Sequence, residues 1–238
     1  MVPKTWVKFV VAIFLLPLVL VLTKTFFEAL RMALHQGLLG TQGCLFFLGG
    51  IIFWGILFWL LPRSWLFLPY VYGHECTHAI WVKIFGGNVE EKFHVSLQGG
   101  HILTDRVNTW IALAPYFFPI YSALVLSIYG VAKIFTDVSS FQWVMFLLLG
   151  FTWAFHLTFT CLLIIQGQPD LHYGGTFFSM ILIYVINLLI VTALLLASAP
   201  YVTLKGFAEQ FFSNTVQFIE VVNFCLGQLG QLWKTWSG

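Results

Sequence analysis

The chain has 238 residues, 60% hydrophobic and 8% charged, with a formal net charge of +2. A soluble domain carries about 25% charged residues, so this composition and a mean hydropathy of +0.91 exclude an ordinary soluble globule and describe a single integral, multi-pass membrane domain over residues 1–238. Eleven basic and nine acidic side chains are scattered with no basic tract, which gives no support to nucleic-acid binding.

A membrane span needs about 20 apolar residues. The opening MVPKTWVKFVVAIFLLPLVLVLTK has a basic front and an apolar middle. No small-x-small cleavage site closes it, so residues 7–23 read as a retained first span, bent at Pro17, in preference to a signal peptide. Residues 24–42, with Lys24, Glu28, Arg31 and His35, read as a short interfacial helix. Residues 44–61 form the second span, Pro62 and Arg63 break the chain, and 64–84 form a third helix.

From 86 to 104 the texture changes. In GGNVEEKFHVSLQGG, the apolar residues Val89, Phe93, Val95 and Leu97 alternate with polar or small ones between glycine pairs, the pattern of a β-hairpin. Open strand edges are not tolerated against lipid, which places this piece at the surface or against the protein interior. Its edge offers an extended peptide a place as an added strand; the plain alternative is a structural flap.

Further spans follow at 109–132, with Pro115 and Pro119 bending it, at 141–166 and at 176–199. Trp65, Trp110, Trp143 and Tyr201 near span ends fit interfacial belts. The tail 201–238 spaces Phe207, Phe211, Val216, Ile219 and Val222 as an amphipathic helix on the membrane. The expected fold is therefore an all-α polytopic membrane protein of about six transmembrane helices, with a short hairpin-like insertion after the third. Cys44, Cys76, Cys161 and Cys225 lie far apart without a CxxC pair and make no disulfide framework.

The chemistry concentrates in YGHECTHAI, residues 72–80. His74 and His78 stand four apart, so a helix places both on one face, with Glu75 beside them. This is HExxH, in which two imidazoles hold zinc and the glutamate is general base for its bound water. The bland alternative is a pair of core histidines. Ionisable groups inside an apolar helix are costly and are retained at cavities where they function, which favours the metal reading. Cys76 points elsewhere on the helix and reads as packing; Thr77 fills a helix seam.

A catalytic zinc site needs a third protein ligand and an open position. The candidates are His35, His94, His101, His156, His172, Asp105, Asp137 and Asp170. Asp170 leads, because IIQGQPDLHYGG lies between two apolar runs and Pro169 and Gly174–Gly175 break the helix around it. His156, in GFTWAFHLTFT, is its competitor, as a ligand, as a hydrogen-bond partner of a ligand, or as an oxyanion donor.

With these residues the chain resembles the site-2 protease family of intramembrane zinc metalloproteases, in particular its small members without a PDZ domain. The resemblance rests on His74, Glu75 and His78 in an apolar helix, on the glycine-bounded extended segment after it, and on Asp170 from a later segment. It covers roughly residues 64–180. Where that family commonly has Leu-Asp-Gly, this chain reads Gln168-Pro169-Asp170-Leu171; Ala114-Pro115-Tyr116, preceded by Asn108, stands where a Gly-Pro is frequent. The resemblance implies zinc held by His74, His78 and Asp170, water activated by Glu75, and a membrane-spanning or membrane-proximal peptide unwound in the bilayer as substrate. Two rivals stand beside it. One is a non-proteolytic membrane zinc-binding protein or other membrane zinc hydrolase. The other is a structural or transport protein with a polar seam, although a transporter is expected to show paired halves and none are visible.

Overall fold

The computed structural model describes residues 5–199 and 201–237, with 91–93 and 237 described by their backbone alone; the side chain of Phe93, one of the alternating residues, and Gly238 of the tail lie outside that set. The described chain is mostly helical: α1 (Thr5–His35), α2 (Gln42–Leu60), α3 (Arg63–Ile84), α4 (Thr109–Phe117), α5 (Ile120–Phe135), α6 (Gln142–Gln166), α7 (Pro169–Tyr173), α8 (Thr176–Ser198) and α9 (Leu204–Ser237). Strands β1 (Val89–Ser96) and β2 (Gly99–Thr104) form one antiparallel ribbon. Helices α1, α2, α6 and α8 are long and apolar enough to cross a membrane, and the bent pair α4–α5 makes a fifth if it is one span.

Three features differ from the sequence expectation. Helix α3 is not among the four or five helices apolar enough to cross, because Arg63, Ser64, His74, Glu75, Thr77, His78 and Lys83 interrupt its apolar residues. The span expected over 109–132 is two helices meeting at 74°. Pro119 disfavours helical geometry at the residue before it, and Phe118 is accordingly extended. The third difference is that no separate interfacial helix forms at 24–42, since α1 runs on to His35.

The chain packs as two compact units, Met1–Phe9 with Leu39–Ile183, and Val10–Leu38 with Tyr184–Gly238. In the second unit, Lys24, Thr25 and Glu28 of α1 find partners on α9, which is why the helix continues through them. Asn214 Nδ2 donates to Glu28 Oε2 at 2.6 Å and to Thr25 Oγ1 at 3.0 Å, and Lys24 Nζ donates to Gln217 Oε1 at 2.7 Å. Thr25 and Asn214 are both buried, so these bonds satisfy groups that water does not reach.

In the first unit, α2 and α6 touch backbone to backbone. A Cβ on Gly50 would stand 2.0 Å from the Leu147 carbonyl oxygen, and one on Gly150 would stand 1.9 Å from that of Phe47. Small residues permit this approach where helices pack in apolar surroundings. Beside the contact, buried Trp54 donates to Thr158 Oγ1 at 3.0 Å and packs edge-on to Phe155. Gly150→Ala is expected to destabilise the folded protein by at least about 1–3 kcal/mol, the usual cost of overpacking. Gly55→Ala on α2, where a Cβ meets nothing within 4 Å, is expected to lose nothing. Chemical unfolding of both variants in detergent checks the contrast.

The hairpin leaves α3 through Gly86 and Gly87 and returns to α4. Its register pairs His94 with His101, Val95 with Gly100 and Ser96 with Gly99, with an irregularity between Val89 and Phe93. At its base, the Asn88 backbone N–H donates to Asp105 Oδ1 at 2.6 Å and its amide to Oδ2 at 3.0 Å. These donors hold the Asp105 carboxyl below the usual carboxylate range. The Arg106 guanidinium donates to the Phe85 carbonyl, tying the ribbon to the end of α3.

Candidate metal centre

Three elements of the first unit converge on one point. α3 contributes His74 and His78, one turn apart, with Glu75 between them in sequence. α7 contributes Asp170 for a local reason. Gly167, at φ +74°, ends α6 in the left-handed conformation that glycine adopts without strain. Pro169 then opens a new turn at its first position, where its missing N–H costs nothing. Leu171 anchors that turn, 1% exposed, and its carbonyl accepts from Ser179 Oγ at 2.9 Å.

α4 orients the cluster. Asn108 caps it by accepting from the Ile111 N–H at 2.9 Å. Within a helix the Ile111 carbonyl would accept from residue 115, but Pro115 has no N–H to give. That carbonyl instead lies 2.8 Å from His78 Nδ1. A carbonyl only accepts, so His78 carries its proton on Nδ1 and presents a lone pair at Nε2.

The Nε2 atoms of His74 and His78 are 3.2 Å apart, and Asp170 Oδ2 lies 3.4 Å from the first and 3.5 Å from the second. An ion bound tetrahedrally at about 2.0–2.1 Å from three ligand atoms separates them by about 3.3–3.4 Å. The donor set and its spacing thus fit a metal ion, and these three residues form the group that could hold one. Tyr116, 0% exposed, donates its hydroxyl to Asp170 Oδ2 at 3.1 Å. Partners of metal ligands typically tune affinity by 10–100-fold. Tyr116→Phe is therefore expected to weaken metal binding about 10–100-fold while preserving the fold, as competition with a chelator of known affinity would show.

The cluster lines a cavity of about 870 Å³, which Glu75 and the tip of the hairpin, Leu97–Ile102, also line. Glu75 is buried. Gly100 lies directly on it: a Cβ there would stand 2.7 Å from Glu75 Cγ and 2.9 Å from Oε1, so only glycine fits without a shift. His156 is buried in α6 and shares with His74 a separate void of about 10 Å³. Its Nε2 and His74 Nδ1 are buried without hydrogen-bond partners.

The remaining sequence candidates lie elsewhere. Asp105 is engaged by Asn88, Asp137 accepts from the Ser139 N–H at 2.9 Å, and His172 pairs with Thr176 Oγ1 at 3.0 Å. His35 ends α1, and His94 and His101 sit exposed on the hairpin, where His101 also lines the cavity without joining the cluster. Sequence reasoning had no role for Tyr116, Gly100 or the Ile111 carbonyl. Of these, only the carbonyl left a trace, a proline four residues downstream of Ile111. Comparison with protein-family models, curated proteins and solved structures finds no match to this chain.

Proposed function

We propose that this chain is a multi-pass membrane protein acting as a zinc-dependent intramembrane endopeptidase, of the kind its resemblance to the site-2 protease family implies. The observation that carries the reading is the meeting of His74, His78 and Asp170 at tetrahedral spacing, with Glu75 in the same cavity. A histidine pair with a carboxylate also suits iron(II) oxygenases, whose ligands sit at octahedral angles. The HExxH spacing and a buried glutamate beside the ligands favour zinc and hydrolysis.

Zinc held by these residues supplies a Lewis acid that polarises a carbonyl and acidifies water. The chain's own groups do the rest. The Ile111 carbonyl and Tyr116 fix His78 and Asp170. Glu75 takes the proton of the attacking water and returns it to the departing amine nitrogen. Phe67, Val71, Ile102, Val107, Phe159 and Leu163 give the cavity apolar walls that suit an unwound stretch of a membrane peptide and limit bulk water.

The test is purified wild-type protein in proteoliposomes with single-span peptide substrates. The expected result is about one zinc per chain and cleavage that a chelator stops and added zinc restores. Folded wild type that holds zinc and cleaves no peptide would point to the zinc-binding alternative; folded wild type without zinc affinity would end both readings.

A further inference from the structure

We propose that His94 and His101 form a second metal site, a two-imidazole clamp on the outer hairpin for a borderline divalent transition ion such as Cu²⁺, Ni²⁺ or Zn²⁺. The site shares no ligand with the triad, although His101 lines the same cavity. The antiparallel register pairs the two residues directly, and directly opposed residues project from the same face of a ribbon. Their ring centroids are 5.0 Å apart with the planes at 31°. At that separation a nitrogen of each ring can reach one ion at about 2.0–2.1 Å.

Both imidazoles are exposed, so no burial opposes an incoming hydrated ion, and water completes its coordination. Imidazole suits these borderline ions, with copper the strongest binder. The strands that carry the ligands are already held in register. Ser96 Oγ donates to the Gly99 carbonyl at 2.9 Å and accepts from the Gln98 N–H at 3.3 Å, closing the tip. Asn88 and Asp105 fix the base. Holding two ligands in place before binding lowers the ordering cost of chelation. The plain alternative is a ring contact that only supports strand pairing, and it makes no demand for metal.

The position has a consequence for the cavity. His101 follows Gly100, which rests on Glu75. An ion joining His94 to His101 cross-links the two strands beside that glycine and stiffens the segment over the base.

The experiment counts ions bound to untagged, full-length protein in detergent, by equilibrium dialysis with Zn²⁺ and by Cu²⁺ spin resonance, which reads imidazole nitrogens directly. Wild type is expected to bind two equivalents. Either H94N or H101N should weaken the second equivalent by more than about tenfold, since one of two ligands has gone. H35N, on an unrelated exposed histidine, should leave it unchanged. Deuterium exchange of residues 94–102 should slow only as the second equivalent binds. Persistence of that equivalent in the H94N/H101N double variant, or a wild type binding only what D170A loses, would overturn the proposal. If the triad binds nothing, an equivalent lost through H94N/H101N alone still registers, so the two readings fail separately.

Discussion

Glu75→Gln is expected to leave zinc in place and to slow peptide hydrolysis by about 10²–10⁴-fold, the usual contribution of a general base. The substitution is nearly isosteric. The amide keeps the volume against which Gly100 packs and removes a charge from a buried position, so the fold has no reason to suffer. What it loses is the capacity to accept a proton from water. Measuring zinc content and turnover on the same preparation separates the roles. Unchanged turnover would remove Glu75 from the chemistry. Loss of zinc together with turnover would make it a structural support of the site.

Much of this architecture is readable from the chain because each part leaves a local mark. HExxH needs only helical spacing to align its imidazoles, and a helix does form over Arg63–Ile84. The glycine pairs and period-two alternation announce the ribbon, whose strands fall at Val89–Ser96 and Gly99–Thr104. Pro169 and the glycines around Asp170 announce a broken segment, which is the short turn α7.

What escapes sequence reading depends on distant partners. The stretch from Lys24 to Arg31 looks interfacial because the pairing visible within it is a solvent-facing i,i+4 contact of Lys24 with Glu28. Gln210, Asn214 and Gln217, nearly two hundred residues away, supply further partners to Glu28 and Lys24. Gly100 looks like half of a turn signal, yet its lack of a side chain matters because Glu75 lies against it. Tyr116 reads as an apolar-helix aromatic until α7 brings Asp170 to its hydroxyl. The two prolines of TWIALAPYFFPI look alike; Pro119 marks the bend, while Pro115 stays within α4 and leaves the Ile111 carbonyl to His78.

Asp170→Asn is expected to weaken zinc binding by more than about 100-fold, beyond the range seen when a mere partner of a ligand is removed. Asparagine keeps the size of the side chain, so loss of metal with an intact unfolding transition isolates the ligand role from packing. His156→Ala is the informative companion. Its imidazole sits behind His74 in a separate void and does not line the large cavity, so zinc should remain bound. Removing a buried ring should instead cost stability, because the space it leaves is only partly refilled. The two variants are thus expected to split, one losing metal and keeping stability, the other the reverse. The opposite split would place the third ligand on α6 and reduce α7 to a connecting turn.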